Sequence, residues 1–132
     1  MRKLFFAVAA ATAAAIMGCG GDAGKEKEAA ALFAKGYYER LIEGNYEGYV
    51  DALNYPDSLP PDYRRLLVRN ARLFAERQKT VNGGWVGVRI VGCRLDSLSP
   101  TAEVILQMCY ADSTCEDVVV PMVERGGRWY IR

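Results

Sequence analysis

The chain of 132 residues contains no histidine, and this absence excludes several common kinds of active site. Hydrolases that activate a serine or cysteine with a histidine base are excluded, because that base makes the nucleophile reactive. Metal sites built on imidazole ligands are excluded as well. The cysteines after Cys19 lack the paired short spacing of zinc motifs, so a structural zinc site is not expected. The sequence therefore predicts no metal and no cofactor.

Long runs of a single charge and long apolar runs are also scarce. The formal net charge is only +1, whereas nucleic-acid-binding domains carry a basic face. Gly83 and Gly84 are not followed by a lysine in the place that a phosphate-binding loop requires. The apolar stretch over residues 4–17 has 14 residues, fewer than the roughly 20 that a membrane-spanning helix needs. We expect neither a nucleic-acid partner nor a spanning segment.

The N-terminus has the layout of a secretion signal that ends in a cysteine. Arg2 and Lys3 precede the apolar stretch, which closes on Gly18 and Cys19. This order fits a cleaved signal peptide and resembles the lipobox of bacterial lipoproteins, in which the cysteine receives a lipid. The resemblance implies a signal peptide over residues 1–18, lipidation of Cys19 and attachment to the cell envelope through a lipid-anchored membrane contact. The alternative is an ordinary signal peptide with a coincidental cysteine.

The residues after the signal divide into a tether and one domain. Residues 19–28 are predicted to form the lipidated cysteine and a flexible tether, and residues 29–132 the domain. Gly20 rather than aspartate follows Cys19, which by resemblance to enterobacterial sorting favours the outer membrane. Removal of residues 1–18 takes away two basic residues, so that 15 basic and 16 acidic residues remain and the net charge becomes −1.

The first half of the domain has the periodicity of helices. A helix is predicted over residues 25–43, where apolar residues recur at three- and four-residue steps: Ala30, Phe33, Ala34, Tyr37 and Leu41. A short helix is predicted over residues 46–53, after a break at Gly44 and Asn45. A third helix is predicted over residues 62–80. Its inward face is predicted to contain Leu66, Leu67, Leu73 and Phe74.

Arginines crowd the third predicted helix. Arg65, Arg69 and Arg72 follow each other at four- and three-residue steps, so they share a helix face. One interpretation is a site for an anion or an acidic partner. The other is a solvated face that is balanced by nearby carboxylates such as that of Glu76.

The sequence of the second half of the domain is typical of β-strands separated by turns. Strands are predicted over residues 85–95, 101–110, 115–124 and 128–132, with a tight turn at Gly126 and Gly127. The second strand alternates, and one face carries Ala102, Val104, Leu106 and Met108. Helices followed by antiparallel strands predict an α+β fold.

This order of elements, with residues 43–47 between two helices and the ending over residues 120–131, resembles a known family. It is similar to short bacterial lipoproteins of unknown function with a nuclear-transport-factor-2-like (cystatin-like) domain. The resemblance implies N-terminal helices packed in a curved antiparallel four-stranded sheet, a cone-shaped arrangement. It also implies that Trp129 and Ile131, which share one face of the last strand, seal the core. The fold hosts enzymes, binding proteins and structural modules, so it does not specify the function.

We expect a non-enzymatic module that binds a small apolar ligand or a protein segment. The predicted ligand site is the interior of the cone, lined by Tyr37, Tyr49, Val104, Leu106, Met108 and Trp129. The same residues would serve equally well as a filled core. The alternative function is a small enzyme that resembles ketosteroid isomerase, with Asp51 or Asp96 as the base and a tyrosine in the cone.

Three cysteines remain after Cys19. Cys109 and Cys115 flank a turn between two paired strands, so we predict a disulfide that contributes about 2 kcal/mol on the chain-entropy model. Cys93 is predicted to be a small buried hydrophobic residue.

Association of two copies is a further expectation. The resemblance implies a homodimer that forms through the outer face of the sheet, since folds of this kind often associate there. Exposed Val118, Val120 and Met122 on the third strand would support that face.

Overall fold

The computed structural model describes residues 21–53, 59–96 and 98–132, with side chains from residue 24 onward. Within these residues, three helices precede a four-stranded antiparallel sheet, so the predicted α+β arrangement is confirmed. The predicted signal peptide and Cys19 lie outside the described residues. Within the described residues, no helix is both long and apolar enough to cross a membrane.

Helix α1 spans Gly21–Glu43. It begins earlier than predicted and includes residues 21–28, which we expected to be a flexible tether. The physical reason is composition: Lys25, Glu26, Lys27 and Glu28 are good helix formers and lead directly into an alanine-rich segment. The two glycines near the start weaken helix formation but do not prevent it, because the helix is packed against the sheet further along.

Helix α2 spans Tyr46–Val50 and helix α3 spans Pro61–Asn82. The side chain of Asn45 caps α2 by accepting a hydrogen bond from the backbone N–H of Gly48 at 2.9 Å. Proline suits the first position of α3, because the missing N–H would have no helical partner there. Helix α3 ends at Gly83, whose φ of 85° is the left-handed conformation that glycine adopts most easily.

The strands are β1 (Trp85–Leu95), β2 (Thr101–Tyr110), β3 (Cys115–Arg125) and β4 (Arg128–Ile131). They pair in chain order as an antiparallel meander. Two register shifts interrupt β1, one between Trp85 and Gly87 and one between Ile90 and Gly92. Such bulges bend a strand and increase its twist, which favours the curvature that wraps a sheet around a helix.

The core lies between α1 and the concave face of the sheet. The predicted alternation of β2 is confirmed, because alternate residues of this strand are buried throughout. Helix α1 contributes Ala30, Ala34 and Tyr37 to this core, as its periodicity predicted. Trp129 and Ile131 of β4 are buried in the same cluster, which confirms their predicted role in sealing it.

Helix α3 is oriented differently from the prediction. Leu66, Leu73 and Phe74 were expected to face inward, but each is close to half exposed, at 46%, 48% and 49%. The buried residues of α3 are instead Ala71 and Ala75. Their small side chains allow the helix backbone to approach the body closely, and the larger residues are turned away.

The outer face of the sheet also differs from the prediction. Val120 and Met122 were expected to be exposed, but they are 1% and 0% exposed and face the core. Val118 is half-buried against the same core. The register pairs Val104 with Val120, so Val120 follows its partner to the concave side. Val119, which is 57% exposed, is the valine on the outer face.

Candidate interaction surface

The predicted cone-interior residues form a filled core. Tyr37, Val104, Leu106, Met108 and Trp129 are at most 3% exposed. Burial of this degree on all elements leaves their side chains in contact with one another rather than around an open space. The interior therefore has the packing of a protein core.

The two predicted tyrosines of this interior have different surroundings. The hydroxyl of Tyr37 donates a hydrogen bond to the backbone carbonyl of Trp129 at 2.5 Å, which ties α1 to β4. Tyr49 is partly buried, and its ring meets that of Tyr38 edge to face with a centroid distance of 5.9 Å. Burial raises the pKa of both Tyr38 and Tyr49, so both hydroxyls stay protonated near neutral pH.

The conceivable bases do not converge with these tyrosines. Asp51 forms an ion pair with Arg64 at 2.8 Å and its side chain is 56% exposed. Asp96 lies in the turn between β1 and β2, where hydrogen bonds from the backbone N–H of Leu98 and the hydroxyl of Ser99 hold its pKa below the usual value. A general base needs a pKa closer to the working pH. The described residues also contain no cluster of three or more potential metal ligands.

The cysteines take two different states. Cys109 and Cys115 occupy directly opposite positions of β2 and β3 and are joined by a disulfide. Cys93 has a free thiol and is partly buried. Burial raises the pKa of the Cys93 thiol, with Lys27 acting in the opposite direction. The protonated thiol is a weak nucleophile.

Helix α3 carries five of the ten exposed large hydrophobic residues that the structure describes. We call this group the α3 stripe, and it consists of Tyr63, Leu66, Leu73, Phe74 and Val81. These residues are 43–71% exposed, and their spacing places them on one side of the helix. At its centre the Phe74 ring lies 5.5 Å from the ring of Trp85 on β1. The stripe is thus attached to the body of the domain.

The charge of α3 differs from that of the rest of the chain. The helix carries six basic and two acidic residues, a net charge of +4, whereas the residues from Cys19 onward sum to −1. Arg69 follows Leu66 by three residues and borders the stripe, whereas Arg77 lies within it, between Leu73 and Val81. Within the described residues neither arginine has a carboxylate within ion-pair distance. In the predicted arginine-rich face, Arg65 forms an ion pair with the nearby carboxylate of Asp62, whereas Glu76 forms no ion pair within the described residues.

The stripe was missed by sequence reasoning, although its residues were visible. Leu66, Leu73 and Phe74 were assigned to the core because large apolar residues on a helix usually face inward. The available signal was the pair Ala71 and Ala75, which lies on a different side of the helix. An alanine pair at four-residue spacing is consistent with close packing against a neighbour, and here that is its role.

Comparisons with known proteins identify the class of fold. The sequence matches no family model and no curated protein. The structure is similar to the crystal structure of a protein from Campylobacter jejuni named as an NTF2-like transpeptidase. The TM-score is 0.59 at 11% identity, and the match covers 74% of this chain and 92% of that one. It is also similar to a SEC-C motif containing protein from Rhodopseudomonas palustris, with a TM-score of 0.45, 17% identity and coverage of 71% and 67%. The first of these likenesses shows that the domain has the NTF2-like cone fold.

Proposed function

We propose that this protein is a lipoprotein of the cell envelope, anchored through Cys19 in the outer membrane, and that its domain is a non-enzymatic protein-interaction module. The observation that carries the proposal is the contrast between the filled cone interior and the exposed α3 stripe. Five of the six predicted interior side chains are at most 3% exposed, which favours a protein partner over a small apolar ligand in the cone. The N-terminal signal layout supports the anchor.

The partner is a protein segment with an apolar strip and an acidic border. Such a segment buries the α3 stripe and places carboxylates beside Arg69 and Arg77. Charge complementarity of this kind speeds association and selects the partner, while the buried apolar area supplies most of the affinity. Tyrosine, phenylalanine and arginine are also the residue types that are enriched at protein interfaces.

Site-specific photo-crosslinking in the native host tests this proposal. A photoreactive residue replaces Leu73 of the stripe, and the matched control replaces Val119 on the outer face of β3. We expect an adduct of discrete mass from position 73 and none of that mass from position 119. The adduct should be lost in an Arg69→Glu, Arg77→Glu variant and retained in Arg65→Glu, Arg72→Glu, which places the same charge change on another side of α3.

Other outcomes would contradict the proposal in different ways. An adduct that persists after the double charge reversal would contradict an acidic partner. An adduct of twice the protomer mass from position 119 would instead indicate a homodimer through the outer sheet face. Lipid adducts from position 73 would mean that α3 lies on the membrane. Cys19→Ala should abolish detergent-phase partitioning, and unchanged partitioning would overturn the anchor.

A further inference from the structure

The turn between β1 and β2 holds an apolar side chain out into the solvent. Leu98 is 94% exposed, the highest value among the exposed large hydrophobic residues that the structure describes. The Asp96 carboxylate accepts hydrogen bonds from the backbone N–H of Leu98 and the hydroxyl of Ser99, each at 2.9 Å. The backbone N–H of Glu124 donates to the carbonyl of Pro100 at 2.8 Å. These hydrogen bonds fix the backbone of the turn, so the Leu98 side chain is held in its exposed position.

The start of α1 lies beside this turn. Leu98 lines a groove of about 650 Å³ together with Glu26 and Lys27 of α1. Glu26 lies five residues after Gly21, which is about 8 Å along the helix axis. Cys19 lies two residues before Gly21, and two residues of chain reach at most about 7 Å. A lipid on Cys19 is thus tied to the same end of the domain as the turn.

We propose that this end of the domain rests on the phospholipid surface that holds the Cys19 lipid, with Leu98 inserted between the headgroups and the acyl chains. The inference rests on the proposed lipid anchor. Because α1 is described from Gly21, the two residues from Cys19 and the first turns of the helix keep Glu26 within about 15 Å of the anchored residue. An exposed leucine at that boundary is stabilised when its surface leaves water.

The charges around the turn indicate the kind of lipid surface. Both signs of charge line the groove or the adjoining depression: Glu26, Asp96, Glu103 and Glu124 are acidic, and Lys27, Arg94 and Arg132 are basic. Neither sign dominates, so the surface matches zwitterionic headgroups, which carry a phosphate and an amine. A strongly anionic membrane would attract a purely basic cluster instead.

This contact also orients the domain. The backbone N–H of Ala111 donates to the carbonyl of Gly84 at 2.9 Å, which fixes the end of α3 beside the turn between β2 and β3. That turn is separated from the one containing Leu98 by the length of β2, Thr101–Tyr110, or about 30 Å at the usual rise of a strand. The C-terminal end of the α3 stripe is then held away from the membrane, where a protein partner can reach it.

Quenching by brominated lipid tests the inference on the full, lipidated chain. A thiol-reactive fluorophore is attached to Leu98→Cys in a Cys93→Ser background, and the matched control carries it at Val81→Cys, which is 71% exposed at the C-terminal end of α3. Both proteins are reconstituted into phosphatidylcholine vesicles whose acyl chains carry bromine. We expect loss of fluorescence at position 98 and none at position 81. Since Leu98 is almost fully exposed, its replacement should leave the fold intact.

The outcomes separate this inference from the anchor. If the protein floats with the vesicles but the label at position 98 is not quenched, the membrane contact of the turn is overturned and the anchor stands. If the label at position 81 is quenched instead, the C-terminal end of α3 lies on the bilayer, and both this inference and the proposed partner surface fall. If the chain with Cys19 does not float, the anchor and the inference fail together.

Discussion

Helices α1 and α3 have nearly the same length, 23 and 22 residues, but they differ in how far their large apolar side chains are buried. Helix α1 buries Tyr37 and Leu41 among the body of the domain. Helix α3 buries two alanines and leaves leucines and a phenylalanine close to half exposed. The first arrangement forms a core, and the second keeps apolar surface available for another molecule.

The comparison shows that a large apolar side chain contributes differently to stability on α1, where it is buried, and on α3, where it is half exposed. A fully buried side chain contributes about 1.5–3 kcal/mol to folding, whereas an exposed one contributes little until a partner covers it. Large contiguous apolar patches on a protein surface usually mark interaction sites. The exposed residues of α3 therefore fit the proposed partner surface, and their exposed area adds little to the stability of the isolated domain.

The largest effect should come from a cavity in the core. Leu106→Ala removes a side chain that is 0% exposed, and we expect a loss of about 2–5 kcal/mol in the free energy of unfolding, measured by urea denaturation. Leu66→Ala on α3 is the matched control, and its effect should stay within about 0.5 kcal/mol. Equal losses of unfolding free energy in the two variants would mean that Leu66 is packed as tightly as Leu106 and is not a surface residue.

Loss of the disulfide should have the next largest effect. Cys109 and Cys115 are six residues apart, and a Cys109→Ser, Cys115→Ser variant should lose about 2 kcal/mol in the free energy of unfolding on the chain-entropy model. Adding a reductant to the wild type should produce a similar decrease. No change in either measurement would mean that the hairpin is held by its strand pairing alone.

The attachment of α3 to the body can be tested at its C-terminal end. Gly83 has a φ of 85°, and a Cβ there would lie 2.8 Å from the Cβ of Ala111. Gly83→Ala should therefore cost about 1–2 kcal/mol in unfolding free energy. Gly36→Ala in the interior of α1 meets nothing within 4 Å and should instead stabilise the domain by about 0.5–1 kcal/mol. The opposite signs make this pair a sharp comparison by thermal unfolding.

The smallest effect concerns acid stability at the turn that carries Leu98. Hydrogen bonds lower the pKa of Asp96 in the folded protein, so its contribution to stability is present above about pH 4, the unfolded value, and is lost as the pH falls through the folded pKa. The difference in urea midpoint between wild type and Asp96→Asn should shrink below about pH 4. Asp117→Asn, whose carboxylate accepts no hydrogen bond from the described residues, is the control.

Local sequence patterns were sufficient to predict where the first two strands begin and end. The predicted bounds of β1 and β2 agree with the observed strands, because residues typical of turns flank both segments: Gly83 and Gly84, then Ser99 and Pro100, then Asp112 and Ser113. In β3, three consecutive valines give no alternation. The register with β2, which pairs Val104 with Val120, decided which valines face the core. For this reason the predicted exposure of Val120 was wrong.

The candidate site was harder to predict than the fold. The six predicted interior residues could equally line a pocket or fill a core, and that choice depends on how closely helix and sheet approach. The exposed turn at Leu98 gave no periodic signal at all. Its position beside Glu26 and Lys27 follows from the packing of α1 on the sheet.

The sequence by itself determined the α+β order, the inward face of α1 and the alternation of β2, because these depend on spacing along one segment. It also excluded histidine-dependent chemistry, since a missing residue type cannot be supplied by folding. The tertiary structure alone decided that the cone interior is filled and that α3 turns its leucines outward. These outcomes depend on the distance between elements, and the close approach allowed by Ala71 and Ala75 exists only once the chain is folded.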